Sequence, residues 1–243
     1  MLREILARYG RLRAGYLWAF VTPLAQVAAL YIVWIILWDR DDASLPILLF
    51  LVTGVLPFWL FRQSVREGAT AAIRNQHLFK LPPVTIFDIT FAHTLLELVT
   101  MLLVFSVAVF GTRLLGEAPR VQDPLGVLLG FVLMWSMGTG LGMTLAGLSK
   151  KLPAGLKFTQ LLLGRPLFFT SGVFFTANML PTSLREWLLY NPLLQATELI
   201  RSSFFYEFES TYYDLGYVGL FALALWTIGL ATMRVNSEEL SMK

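Results

Sequence analysis

Residues 14–38, 43–61, 89–112, 124–149, 158–184 and 215–233 form six runs with almost no charge: four have none, the third holds His93 and Glu97, and the fifth holds Arg165. A helix needs about 20 mainly apolar residues to cross a bilayer, so each run is long enough to span. Lipid cannot satisfy the open edge of a sheet, and the crossings are therefore helices. The expected fold is an all-α integral membrane protein with six transmembrane helices at about 17–38, 45–61, 89–110, 125–148, 158–177 and 215–233. Four arginines ahead of the first run imitate a signal peptide, but the run is too long for a signal h-region and should persist as the first span. No fixed-period repeat and no Gly/Ser- or Pro-rich linker divides the series, so residues 1–243 read as one domain.

The side on which the termini lie follows from the basic residues. With the N-terminus inside, fourteen of the 19 Lys and Arg fall on inner segments (1–13, 62–88, 150–165 and 234–243). Cytoplasmic loops carry the excess of Lys and Arg, so both termini are expected in the cytoplasm, with Asp39, Asp41, Asp42, Glu207, Glu209 and Asp214 outside.

Three segments neither cross nor belong to ordinary loops. Near the N-terminus, Leu2, Ile5, Leu6, Tyr9 and Leu12 share one helical face while Arg3, Arg8 and Arg11 share the other. This is the pattern of a helix lying in the interface, with Arg13 snorkelling to the headgroups or following a bend near Gly10; a plain basic topology signal has the same composition. Residues 62–80 read as a cytoplasmic helix stopped by Pro82-Pro83. Its last turn, Arg74, Asn75, Gln76, His77, Leu78 and Phe79 followed by Lys80, sets polar donors beside a Leu-Phe pair, the composition of a docking knob. Between the last two runs, apolar pieces too short to cross alternate with acids around Asn191-Pro192. Such pieces suit re-entrant helices beside a wet cavity, or an amphipathic hairpin resting on the lipid.

Candidate chemistry is sparse. Thr90, His93, Thr94, Glu97 and Thr100 make one polar stripe on the third span, with Glu97 the only acid deep in any predicted span. A proton relay, a substrate contact and an internal pairing that glues helices are the roles open to it. Arg165 suits either an anionic substrate or snorkelling. Gly126/Gly130 and Gly138/Gly142 have the small-xxx-small spacing of close helix packing. Tyr31, Trp34 and Trp38 stack along the first span, and Phe168, Phe169, Phe174 and Phe175 lie in the fifth. Aromatic faces pack on the C–H faces of sugars as well as on lipid tails and protein cores.

Composition removes other classes. Hydrophobic residues make up 56 % of the chain and charged ones 14 %, against roughly 25 % charged in soluble domains. With no Cys and two His, disulfides, thiolate metal sites and a histidine cluster are excluded. No G-x-x-x-x-G-K-[ST] loop, Ser-His-Asp set or H-E-x-x-H motif occurs, so neither ATP hydrolysis nor other catalysis has visible machinery.

Five stretches carry a resemblance: Arg8 to Ala19, Gly54 to Phe58, Asn75 to Phe79, Pro83 to Asp88 and Asn191 to Arg201. In this order, on six spans, the set resembles the ABC-2 family of polysaccharide export permeases, and most of all the inner-membrane permease of ATP-driven capsular polysaccharide exporters. The resemblance implies two copies of this chain docked on two ABC ATPase subunits, which bind the ATP and Mg; no cofactor is expected on this chain and no nucleic acid as partner. It further implies a coupling helix at 62–80, gate helices over 181–206 containing Asn191, Pro192, Glu198 and Arg201, and a canal lined by spans one and five. A lipid-linked polysaccharide, a periplasmic adaptor and an outer-membrane channel complete the implied assembly. The alternatives are an O-antigen or teichoic-acid exporter of the same family and an ion-driven secondary transporter using His93 and Glu97.

Overall fold

The computed structural model describes residues 17–37, 46–74, 85–114, 120–148 and 166–235, and every regular element among them is helical. Seven α-helices follow in order: α1 Leu17–Leu37, α2 Ile47–Arg74, α3 Ile86–Leu114, α4 Pro124–Leu148, α5 Thr182–Leu188, α6 Pro192–Phe204 and α7 Leu215–Val235. A short helical piece over 166–170 and a 3-10 turn at Ala177–Met179 lie between α4 and α5. Five helices, α1 to α4 and α7, are long and apolar enough to cross a bilayer. The N-terminal interfacial segment, with Arg3, Arg8, Arg11 and Arg13, lies outside the described residues, as do Trp38, Asn75 to Phe79 and Arg165.

α4 is the central helix because its glycines let α2 and α7 approach to backbone contact and make room for side chains of α6. A methyl at Gly142 would meet Gly68 Cα of α2 at 2.8 Å, and one at Gly138 would meet the Phe61 carbonyl at 2.6 Å. On other faces, Gly140 and Gly147 abut Leu225 and Thr232 of α7, and Gly126 and Gly130 abut Ser203 and Ile200 of α6. Both glycine pairs singled out by spacing thus serve packing. This seam suits a chain in lipid, where helices associate through close van der Waals contact rather than by hiding apolar surface. α3 flanks α2 and α4, and α1 lies against α2 with most of its side chains outward.

Two element boundaries differ from those expected. The second span and the cytoplasmic helix are one element: α2 continues through Pro57 to Arg74, and Ser64, Val65, Glu67, Ala69 and Ala71 are buried rather than projecting. Burial against α4 outweighs the local cost of the proline. The fifth run loses helical form after Thr170, short of the expected 177. Gly172 there takes φ +73°, the left-handed region that ends a helix at little cost for a residue without Cβ.

Candidate functional site

The segment from Ser171 to Thr176 is extended or bent backbone packed inside the protein, so its carbonyls must be satisfied by side chains. α6 supplies them. Asn191 caps the helix, its Oδ1 accepting the Leu193 N–H at 3.0 Å, while its Nδ2 donates to the Thr170 carbonyl at 3.1 Å. Pro192 at the first helical position has no N–H left to satisfy. Thr197 donates to the Ser171 carbonyl at 3.0 Å. Arg201, with no exposed surface, donates to the carbonyls of Phe175 (2.8 Å), Val173 (3.1 Å) and Phe50 of α2 (3.4 Å). Its guanidinium also sits 3.8 Å from the centre of the Phe50 ring.

Glu198, equally buried, accepts the Ala177 N–H at 2.9 Å and the Ser210 hydroxyl at 2.5 Å, binding the 3-10 turn on one side and the chain after α6 on the other. Burial lowers the Arg201 pKa to about 9 and the charge of Glu198 opposes the fall, so the guanidinium is a cation at neutral pH. Gly54 opens the space for this tie: a Cβ there would lie 2.7 Å from Arg201 Nη2 and 3.0 Å from the Val173 carbonyl. Gln195 completes the arrangement, donating to Leu189 O at 2.7 Å and accepting from Asp214 N at 2.8 Å. All of α6 except Ser202 is buried. The four residues expected in a gate, Asn191, Pro192, Glu198 and Arg201, thus lie together on α6 and its cap, where Asn191, Glu198 and Arg201 bind the backbone of residues 170–177.

A second polar group joins α2 to α3. Glu67 is fully buried; Arg74, two turns further along α2, reaches its Oε2, Arg66 lies 3.7 Å from Oε1, and His93 Nδ1 of α3 lies 3.8 Å from Oε2. Glu97, one turn beyond His93, is buried on the same helix. Glu67 of α2 and Glu198 of the short α6 are buried acids besides Glu97. Glu67 escaped notice because Arg62, Arg66 and Arg74 surround it in sequence and resemble a solvated face. The signal that finds it is the run of small residues, with Ser64 and Gly68 against α4 and Ala69 and Ala71 buried beside them.

The aromatic residues of the first and fifth runs do meet. Trp34 stacks on Phe174 at 6.2 Å, and Phe174 contacts Phe168 at 5.1 Å and Phe169 at 5.4 Å. Phe58 of α2 backs Phe168 at 5.2 Å. Phe169 stays more than half exposed, so the cluster presents a ring to the surface beside α1, while Tyr31 and Phe175 are half-buried.

A model of the ABC-2 type transporter family matches residues 1–205. The chain belongs to the ABC-2 type transporter family. Among its relatives, the polysialic acid transport protein KpsM of Escherichia coli is 31 % identical over 241 residues, which cover 98 % of this chain and 92 % of KpsM. The capsule polysaccharide export inner-membrane protein CtrC of Neisseria meningitidis is 29 % identical over 239 residues, 96 % of this chain and 88 % of CtrC. BexB of Haemophilus influenzae, named in the same words, is 26 % identical over 242 residues, 98 % and 89 % of the two chains. The ABC-2 match covers α1 to α6 and stops one residue after α6, so the Glu198–Arg201 tie lies inside it and α7 beyond it.

Proposed function

We propose that this ABC-2 chain is the membrane permease of an ATP-driven exporter of capsular polysaccharide, a multi-pass protein of the bacterial inner membrane. The observation that carries the reading is its likeness, over nearly the whole length, to three proteins named for polysaccharide transport or export. Five helices able to cross a bilayer support the membrane location. Since the sequence has no phosphate-binding loop, ATP and Mg belong to a separate ATPase subunit.

In this reading six spans cross with both termini cytoplasmic, and two copies of the chain sit on two ATPase subunits. The cargo is a lipid-linked acidic polysaccharide passed on to a periplasmic adaptor and an outer-membrane channel. A polymer much longer than the ~30 Å hydrocarbon layer requires a continuous canal rather than a closed chamber. The exposed ring of Phe169 and the Trp34–Phe174 stack supply an apolar wall on which sugar C–H faces can slide. The docking residues Asn75 to Phe79 begin where α2 ends at Arg74, and Glu67 links that end to His93 of α3, so a push received there is handed to both helices.

The decisive experiment places the purified chain with its ATPase in vesicles and follows entry of lipid-linked polysaccharide. Movement requires ATP and stops when His77, Leu78 or Phe79 is replaced by a charged residue, with insertion unaffected. Movement driven by an ion gradient alone, and lost in Glu97→Gln, would replace this reading with the secondary-transporter one.

A further inference from the structure

Beyond the tie, the end of α5 and the start of α7 border an open groove of about 650 Å³. Hydrogen bonds fix its frame. Gln195, buried on α6, donates to the Leu189 carbonyl and accepts the Asp214 N–H, and the Tyr217 hydroxyl donates to the Tyr190 carbonyl at 2.8 Å. Asp214 Oδ1 accepts the Gly216 N–H at 2.8 Å at the start of α7, which holds this carboxylate in place at the groove.

The lining joins two kinds of side chain. It holds the carboxylates of Glu186 and Asp214, the rings of Trp187, Tyr190 and Tyr217, and no basic side chain among the described residues. Trp187 is 77 % and Tyr190 73 % exposed, so both rings stand open to a ligand. The base nearest in sequence, Arg185, lies 4.7 Å over the Tyr212 ring. Ring faces attract ammonium groups, and carboxylates accept their N–H bonds, so the groove suits a cation. An acidic sugar polymer could stack on the rings but would meet like charge. A bare metal ion would use the carboxylates and leave the rings idle.

The level of the groove narrows the choice. α7 has 21 residues, about 31 Å at 1.5 Å each, which matches the ~30 Å hydrocarbon layer. Asp214 immediately precedes α7 and therefore stands among the headgroups. From Tyr217 a stripe of Phe221, Ala224 and Ile228 follows one face of α7 toward the middle of the bilayer, and all three are exposed.

We infer that this groove binds the ammonium headgroup of a phospholipid of the phosphatidylethanolamine type. The ammonium meets Glu186 and Asp214 and the faces of Trp187 and Tyr190, and an acyl chain follows Phe221 and Ile228. On the charge-based topology the lipid belongs to the outer leaflet. A lysine of a partner protein offers the same head without the chain, and the stripe on α7 favours the lipid. The inference stands apart from the export reading.

The test uses the full chain purified in mild detergent from mixed phosphatidylethanolamine and phosphatidylglycerol membranes, with retained lipid counted by native mass spectrometry. The unaltered chain retains phosphatidylethanolamine in preference to phosphatidylglycerol, which has no ammonium. Because charge-assisted hydrogen bonds are the strong ones, E186Q/D214N lowers that retention by about tenfold and abolishes the preference. Asparagine caps a helix about as well as aspartate, so α7 keeps its start. W187L, at an exposed position, lowers retention by a smaller factor. Free ethanolamine and a lysine peptide, which have the head without the chain, do not displace the lipid from the unaltered chain. Equal retention of the two lipids, unchanged retention in either variant, or displacement by ethanolamine or the peptide would each overturn the inference. W187L and the competition decide even if the double variant does not fold.

Discussion

The α4 seam and the α6 tie bury backbone by opposite means. Along α4, glycines at 126, 130, 138, 140, 142 and 147 remove side chains so that helices touch, and the backbone hydrogen bonds stay inside each helix. Around α6, side chains do the work: Asn191, Thr197, Glu198 and Arg201 reach out to carbonyls and N–H groups that the neighbouring chain cannot satisfy for itself. The first arrangement holds regular elements and contains little that can switch. The second stabilises an irregular segment through a few charged contacts, so it can be released by disturbing one residue.

The largest effect should come from breaking the tie. Arg201→Leu strands the buried carbonyls of Phe175, Val173 and Phe50; each buried acceptor left without its donor costs about 1–3 kcal/mol. A sharply lowered melting temperature in detergent, or loss of the monodisperse protein, is the expected result, and Arg201→Lys should recover little because one ammonium cannot reach three carbonyls. A melting temperature within a degree or two of the parent would mean that α6 does not hold the segment.

Next in size is the seam. Gly142→Val forces the backbone of α4 from Gly68, an overpacking cost of about 1–3 kcal/mol, and thermal unfolding followed by size-exclusion chromatography should report it without any change in what the protein transports. The two variants together sharpen the contrast: Gly142→Val should scale export with the amount of folded protein, whereas milder changes in the tie such as Glu198→Gln should lower export per folded molecule.

Glu67→Gln weakens the contact with Arg74 and His93 by about the 1.5–3 kcal/mol of a charge-assisted hydrogen bond. Export per ATP hydrolysed should fall by about tenfold while the ATPase still co-purifies; unchanged coupling would remove Glu67 from the transmission route. The smallest effect is expected for Trp34→Leu, which keeps apolar bulk but gives up a ring pair worth about 0.5–1.5 kcal/mol. A slight fall in stability with a larger fall in export would favour sugar contact at the Phe174 cluster over simple packing.

The long apolar runs and the paired glycines were legible because each is a periodic signal spread over many residues, and lipid leaves the backbone few alternatives. The meeting of Trp34 with Phe174 was half legible: the aromatic density was plain, the pairing was not. Three features were hidden for local reasons. Pro57 and the arginines after Phe61 imitate a helix end, so α2 seemed to stop where it continues. Charged neighbours masked the burial of Glu67. The roles of Glu198 and Arg201 depend on backbone groups more than twenty residues earlier, the Ala177 N–H for the first and the Phe175 carbonyl for the second, a pairing that no spacing rule encodes.

At 28 residues, α2 is about 42 Å long; near one end Gly54 abuts Arg201 and the 173 carbonyl, and at the other Arg74 is paired with the buried Glu67. Gly138 and Gly142 of α4 hold α2 in between, so it can turn about the tie only as one rigid rod together with the helix it packs on. A tilt of roughly 10° about that point, with some 30 Å of arm beyond it, would swing Arg74 by about 5 Å, the length of one sugar unit. Such a movement would need no change in the internal structure of the helix.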